Sequence, residues 1–128
     1  MAANMNAQKV IEDSFKAMQA GPAGEEAMMA LFADAAVFVE PYTGSRRTHS
    51  GKDAIRATFK EMWGRPGPPV TIRMDRLDAD GVDLRAEWTC SSPAFPKPMK
   101  GYNVFRIGAG DKITHMEIFI TDAPPMPG

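Results

Sequence analysis

The chain has 128 residues, of which 44% are hydrophobic and 24% are charged, and its formal net charge is −1. This length and composition are typical of one globular domain whose core needs no disulfide. The balanced charge gives no basic surface for nucleic acid or an anionic membrane. We see neither a run of about 18 apolar residues nor a signal peptide, so we expect a cytoplasmic protein without a membrane segment.

The first half of the sequence predicts helices, from apolar residues at helical spacing and from the glycines and prolines that end each pattern. The predicted helices are Asn6–Gln19, Glu25–Phe32 and a third that begins at Lys52 or Asp53 and ends near Trp63. Between the second and third helices we expect a turn at Asp34–Ala36, a short strand Val37–Glu40 and a polar loop over residues 41–50.

The second half alternates between apolar and polar residues, which is typical of antiparallel strands. The predicted strands are Val70–Leu77, Val82–Cys90, Met99–Ile107 and Ile113–Thr121. Helices followed by such a meander predict an α+β fold, with one curved antiparallel sheet and the helices packed on one of its faces. We expect a single domain over residues 1–122 and a proline-rich tail over residues 123–128.

Strand parity predicts which side chains share the covered face of this sheet. Trp88 lies in the apolar row of its strand, and Arg85 and Glu87 lie in the opposite row. Asn103 is a polar amide in an otherwise apolar row. A buried amide needs hydrogen-bond partners or a wet cavity, so Asn103 is either a core residue bonded to backbone or a donor that faces a ligand.

Glu40 ends a short apolar run just before Pro41. Desolvation at the mouth of a core raises the pKa of a carboxyl group and makes it a usable proton acceptor. The alternative is a solvated glutamate at the end of a strand.

Other residue types point less clearly to chemistry. The two histidines, His49 and His115, lack metal-ligand spacing, so we expect no metal and no cofactor. Cys90, the single cysteine, lies on an apolar face and is interpreted as a core residue. Arg46 and Arg47 lie with His49 in the polar loop, either as a solvated cluster or as a site that attracts an anionic substrate.

Several passages resemble the nuclear-transport-factor-2-like superfamily, and most closely its branch of ketosteroid isomerases and SnoaL-like polyketide cyclases. The passages are Phe32–Asp34, Val39–Pro41, Gly51–Arg56 and the hairpin Phe105–Ile113. The resemblance extends from about Gln8 to Asp122. It implies a cone-shaped sheet that wraps three N-terminal helices around a deep apolar pocket.

The resemblance also implies roles for individual residues. Glu40 falls where the isomerases carry their proton-shuttling acid, and Asn103 falls where an acid donates a hydrogen bond to the developing enolate. The tyrosine that completes that oxyanion site is replaced by Phe15, or by Lys16 if the loop is aligned without a gap. Parity and resemblance together predict one apolar cavity bordered by Glu40 and Asn103. Its predicted walls are Phe15, Phe59, Trp88, Met99, Met116 and Ile118.

Three functions fit these features. The first is an isomerase-like or cyclase-like enzyme that uses Glu40 as general base on an apolar, carbonyl-containing small molecule. The second is a non-catalytic binding or accessory protein of the same fold. The third is an epoxide hydrolase or dehydratase. An epoxide hydrolase of this fold needs an inward Asp–Arg–Asp set, and Arg85-Ala-Glu87 resembles part of it in sequence, whereas its parity, opposite to that of Trp88, argues against this role.

The sequence also predicts a homodimer through the outer face of the sheet. An open curved sheet exposes its second face, and Tyr102, Val104 and Phe119 are expected there among polar residues. Exposed apolar residues of this kind favour association, and members of the superfamily commonly pair through this face.

Overall fold

The structure is a computed structural model that describes residues 5–65 and 70–123. Its helices are α1 (Met5–Ala20), α2 (Glu25–Ala30) and α3 (Lys52–Gly64). Its strands are β1 (Phe32–Glu40), β2 (Arg47–Ser50), β3 (Thr71–Asp80), β4 (Asp83–Ser91), β5 (Met99–Ile107) and β6 (Ile113–Asp122). Short 3₁₀ turns lie at Gly21–Gly24 and Ala109–Asp111. No helix in the described ranges is long and apolar enough to cross a membrane.

The strands form one sheet in the order β2-β1-β6-β5-β4-β3. The pairings β1–β2, β3–β4, β4–β5 and β5–β6 are antiparallel, whereas β1 and β6 run parallel. The α+β fold is therefore confirmed, and the expectation of a purely antiparallel sheet is wrong at one pairing. The exception is the pairing of β1 with β6, which lie side by side within the sheet although they are the first and last long strands of the described residues.

The core lies between the sheet and the helices. Phe38 of β1 stacks on Phe59 of α3 with ring centroids 4.9 Å apart, and Phe32 packs against the same ring at 6.3 Å. All three side chains are buried. The turn before α2 packs tightly on α1, since a Cβ atom at Gly24 would collide with the carbonyl oxygen of Ala17. Glycine is therefore required where this turn approaches the helix.

The largest differences from the predicted elements lie between residues 31 and 50. The second helix ends at Ala30 rather than Phe32, and Phe32 begins β1 opposite Ile113. The predicted turn at Asp34–Ala36 is part of β1, where the pairing with β6 is interrupted between Phe32 and Val37. Part of the predicted polar loop forms β2. These three differences have one cause, because β1 and β2 are held by pairings that local periodicity does not report.

The remaining elements match their predictions closely. β5 has the predicted bounds, while α1, α3 and β6 differ from theirs by one or two residues. β3 extends three residues beyond the predicted end, so its hairpin with β4 turns at Gly81 and Val82. Most of the predicted tail, residues 124–128, lies outside the described residues.

Candidate functional site

Glu40 is a buried carboxylate with three hydrogen-bonding neighbours. Its side chain has an exposed fraction of 0%. Oε1 accepts a hydrogen bond from the backbone N–H of Tyr42 at 2.7 Å. Oε2 accepts one from Nε of Arg47 at 2.8 Å and lies 2.8 Å from Nε2 of His49. The carboxylate is therefore saturated with partners rather than isolated in an apolar cavity.

Two of the three partners of Glu40, Arg47 and His49, come from β2, a segment that the sequence predicts as a loop. Arg47 lies directly opposite Glu40 in the β1–β2 ladder, and His49 lies opposite Phe38 on the same face. Arg47 and His49 were recognised only as members of a basic loop cluster. The two-residue spacing of Arg47 and His49 could have indicated a strand with both side chains on one face, because residues at that spacing in a strand share a face.

These contacts decide the charge state of Glu40. Burial alone would raise the pKa of this carboxyl group. The hydrogen bonds from His49, from the backbone of Tyr42 and from Arg47, together with the charge of Arg47, outweigh burial and hold the pKa of Glu40 below its usual value. The predicted raised pKa is therefore wrong, since it assumed Asn103 as the only polar neighbour.

His49 is a partly exposed partner of Glu40. An ionised carboxylate is only an acceptor, so Nε2 of His49 carries the proton that faces Glu40, and in the neutral imidazole Nδ1 then has a free lone pair. We find no hydrogen bond to Nδ1 within the described residues, and 17% of the side chain is exposed. The ring lies 6.1 Å from that of Phe38 on the inner face. The arrangement is a carboxylate that orients an imidazole.

Asn103 and Trp88 form a second polar contact on the inner face. Both side chains are buried, as parity predicted. Nε1 of Trp88 donates a hydrogen bond to Oδ1 of Asn103 at 2.9 Å, so the amide is held by an indole rather than by backbone. For the amide nitrogen, Nδ2, no partner is found within the described ranges. Asn103 therefore retains donor capacity toward the inner face.

Strand register relates the two polar contacts. Val39 lies beside Glu117 in the β1–β6 pairing, and Ile118 lies opposite Asn103 in the β5–β6 pairing. One residue further along β1 and β6, Glu40 follows Val39 and Ile118 follows Glu117. Glu40 and Asn103 thus share a row on the inner face, separated by two strand spacings or about 10 Å.

The predicted walls of the cavity are divided between the core and a groove. Phe59, Met116 and Ile118 are buried in the core, and Met99 is partly buried against it. Phe15 instead lines a groove of about 370 Å³ between α1 and β3. The other residues that line this groove are Lys16, Gln19, Ala20 and Ile72. A single cavity that joins Glu40, Asn103 and Trp88 stays a prediction.

The profile of the SnoaL-like domain matches residues 11–116, which is most of the sequence. The chain belongs to the SnoaL-like family. The family resemblance seen in the sequence is thereby confirmed. A search of curated protein sequences gave no match.

Solved structures show that this SnoaL-like chain has a widely used fold. A candidate ketosteroid isomerase from Kribbella flavida is 18% identical and has a TM-score of 0.71, over 100% of this chain and 87% of that one. A candidate polyketide cyclase from Sinorhizobium meliloti is 21% identical with a TM-score of 0.68, over 87% and 94% of the two chains. An LEH-like epoxide hydrolase from M. tuberculosis is 19% identical with a TM-score of 0.69, over 91% and 83%. At these identities the likeness concerns the fold.

The outer face of this SnoaL-like sheet carries the pair that suggested an epoxide hydrolase. The guanidinium of Arg85 lies 3.7 Å from the ring centroid of Tyr102, and Arg85 also lies 4.0 Å from Glu87. The neighbours of Arg85 in β4, Leu84 and Ala86, are buried on the inner face. The predicted parity is confirmed, and this pair points away from Glu40 and Asn103.

Tyr42 is a polar neighbour of Glu40 that sequence reasoning missed. Its ring lies 6.4 Å from that of Phe38. Burial and the adjacent charge of Glu40 raise the pKa of the Tyr42 phenol above its usual value, so it stays protonated at neutral pH. Its position two residues after Glu40 could have indicated that Tyr42 lies near the carboxylate. The family resemblance instead points to the first helix for a phenol.

Proposed function

We propose that this SnoaL-like protein is an isomerase-type or cyclase-type enzyme that moves a proton next to a carbonyl group of an apolar small molecule. The observation that carries the proposal is the buried Glu40 carboxylate hydrogen-bonded to the partly exposed imidazole of His49. Proton transfer within one substrate needs a base that can also return the proton, and an imidazole can act in both steps as acceptor and then as donor.

Glu40 and His49 divide the work in this proposal. Both oxygens of Glu40 are already hydrogen-bonded and its side chain is enclosed, so the carboxylate itself is poorly placed to receive a substrate proton. His49 Nδ1 takes the proton from the carbon next to the carbonyl. Glu40 holds the ring in the required tautomer and stabilises the imidazolium that forms. The role of general base, which the sequence predicts for Glu40 alone, is thus shared by Glu40 and His49 in this proposal.

Asn103 stabilises the negative charge that forms on the substrate in this proposal. Removal of the proton leaves negative charge on the carbonyl oxygen, and a preorganised donor that faces this oxygen lowers the barrier. Nδ2 of Asn103 lies on the inner face and its carbonyl oxygen is fixed by Trp88, so the amide is oriented to donate. The step moves one proton between substrate and imidazole, and it requires neither an oxidant nor a second substrate.

Exchange of carbon-bound hydrogen tests the proposal. Cyclic ketones such as 1-tetralone are incubated with the protein in D₂O, and loss of the signal of the hydrogens next to the carbonyl is followed by proton NMR. We expect wild-type protein to accelerate exchange and His49→Gln to lower the enzymatic rate by about 100-fold or more, the usual contribution of a general base. Glu40→Gln should also lower the rate, because the imidazole loses its orienting charge.

His115 provides a matched control for this experiment. It lies on the outer face of β6 with its Nε2 3.4 Å from Oε1 of Glu117, so it is also a histidine beside a carboxylate. His115→Gln should leave the exchange rate unchanged. Equal rates for wild type, His49→Gln and His115→Gln would contradict the proposal.

A non-catalytic binding protein is the second candidate, and the saturation of Glu40 favours it. A buried carboxylate whose hydrogen bonds lower its pKa is also what a structural clamp between β1 and β2 would show. The two candidates differ in the exchange experiment. Ketones that bind without accelerated exchange of their hydrogens would support the binding protein and reject the enzyme.

A further inference from the structure

Trp63, near the end of α3, carries a buried donor without an acceptor. Its indole nitrogen, Nε1, is inaccessible to solvent and has no hydrogen-bond partner within the part of the chain that the structure describes. Buried polar groups in folded proteins are nearly always hydrogen-bonded, so an orphaned donor calls for an explanation. The other tryptophan shows the usual outcome, since Trp88 donates to Asn103.

A chain of ring contacts links Trp63 to the inner face that holds Glu40 and His49. Its ring lies 5.3 Å from that of Phe59, and Phe59 stacks on Phe38. The Phe38 ring lies 6.1 Å from that of His49, and Phe38 precedes Glu40 by two residues on the same face.

Trp63 therefore lies in the helix layer, in ring contact with the aromatic series that ends at His49, while Asn103 lies on the sheet. A phenylalanine at position 63 would keep the ring contact with Phe59 without burying an unpaired donor. The indole nitrogen is thus unexplained by packing, and its ring belongs to the aromatic series that borders the proposed site.

We infer that Nε1 of Trp63 donates a hydrogen bond to an oxygen of the bound small molecule. This inference rests on the proposed function, and it adds to the substrate class. An indole N–H is a donor only, so the group it binds is an acceptor such as a carbonyl or hydroxyl oxygen. Donors on both layers, Trp63 from α3 and Asn103 from β5, fit an apolar molecule with acceptor oxygens at two positions.

Nitrogen-15 NMR of the full-length protein tests this inference without relying on turnover. The spectrum contains indole signals from Trp63 and Trp88, and the variant Trp63→Phe assigns them by removing one. The probes are 4-hydroxy-1-tetralone, which has two oxygens, and tetralin, the hydrocarbon of the same ring system. We expect the oxygenated probe to move the Trp63 indole proton downfield and to slow its exchange with water. Tetralin has a similar ring current but no acceptor, and should do neither.

Affinity gives the second measurement. Trp63→Phe should weaken binding of 4-hydroxy-1-tetralone by about 3- to 10-fold, the effect of one lost neutral hydrogen bond. Binding of tetralin should be nearly unchanged. If Trp63→Phe does not fold, Trp88→Phe assigns the two indole signals instead, and the wild-type shift still decides the question. Equal shifts from the two probes, or an unchanged affinity ratio in Trp63→Phe, would overturn the inference.

The same samples separate this inference from the proposed function. If 1-tetralone exchanges its hydrogens faster but the oxygenated probe does not change the Trp63 signal, the role of Trp63 is rejected and the proposed enzyme activity is retained. A Trp63 signal that responds to the oxygenated probe without any accelerated exchange supports a binding site and rejects the enzyme. Absence of both effects rejects both proposals.

Discussion

Glu40 shows how partners determine the behaviour of a buried charge. Enclosing an isolated carboxylate is costly, and the cost is offset only when hydrogen bonds and opposite charge accompany it. Here the backbone of Tyr42 and the side chains of Arg47 and His49 supply both. Arg47 is linked in turn to Glu61 of α3, so the carboxylate joins β1, β2 and the helix layer.

Acid should therefore destabilise the protein through Glu40. The pKa of this group is lowered in the folded state from an ordinary value of 4.5, so its contribution to the free energy of unfolding is complete above that value. The contribution is lost as the pH falls through the lowered pKa, when the folded state must take up the proton. Urea unfolding of wild type and Glu40→Gln between pH 7 and pH 3 measures this difference.

We expect Glu40→Gln to reduce the free energy of unfolding by about 1.5–3 kcal/mol at pH 7, the range for hydrogen bonds to a charged group. The difference between the two proteins should shrink below pH 4.5 and not above it. The variant is thus expected to fold with reduced stability. A constant difference across the pH range would show that the carboxylate charge contributes nothing.

Replacing Asn103 by leucine should leave the indole of Trp88 without its acceptor. An unsatisfied buried donor costs about 1–3 kcal/mol, and we expect Asn103→Leu to destabilise the protein by that amount and to weaken binding of carbonyl ligands by a similar amount. A double-mutant cycle with Trp88→Phe isolates the pair, because the double variant has no orphaned donor. Strictly additive losses would contradict a Trp88–Asn103 hydrogen bond.

The pairing of β4 with β5 depends on a glycine. Gly101 lies opposite Trp88, and a Cβ atom there would collide with the Trp88 ring and with the carbonyl oxygen of Phe119. We expect Gly101→Ala to cost about 1–3 kcal/mol through overpacking and to displace Trp88. Thermal unfolding and the Trp88 indole signal measure the two effects.

Gly64, at the end of α3, is the matched control for this substitution. A Cβ atom there would meet no atom within 4 Å, and alanine has the higher helix propensity. Gly64→Ala should therefore be neutral or slightly stabilising. A similar loss of stability in both variants would show that the close approach of β5 to Trp88 is not responsible.

Local periodicity predicted the elements whose side chains alternate or repeat within one segment. β4 and β5 were placed with Trp88 and Asn103 on the correct face for that reason. β2 was missed because its four residues are polar or partly exposed, and only its pairing with β1 makes it a strand. The charge state of Glu40 was mispredicted for the same reason, since its partners come from β2.

The outer face of the sheet combines aromatic rings with arginines. Tyr102 and Phe119 stack with centroids 4.7 Å apart, and the guanidinium of Arg46 lies 4.4 Å from the Phe119 ring. Arg85 covers Tyr102 in the same way, so the aromatic pair lies between two cations. We propose that a second copy of the chain packs on this face, because amphipathic side chains of this kind are enriched in the centres of interfaces.

Sedimentation velocity tests the homodimer. We expect wild-type protein to sediment as a dimer at tens of micromolar, and Phe119→Glu to shift it toward the 14.0 kDa monomer. Gln8→Glu, a charge change on an exposed position of α1, is the control and should leave the dimer intact. A wild-type monomer at this concentration would contradict the proposal.

The position of β6 has a consequence for how the protein folds. β6 is the last strand among the described residues, yet it lies between β1 and β5 and links Glu40 with Asn103 through Ile118. The pairing of Phe32 with Ile113 spans most of the chain, and such non-local contacts slow folding to milliseconds or longer. On the ribosome, β1 must wait for β6, so the site completes its assembly only after β6 has been synthesised.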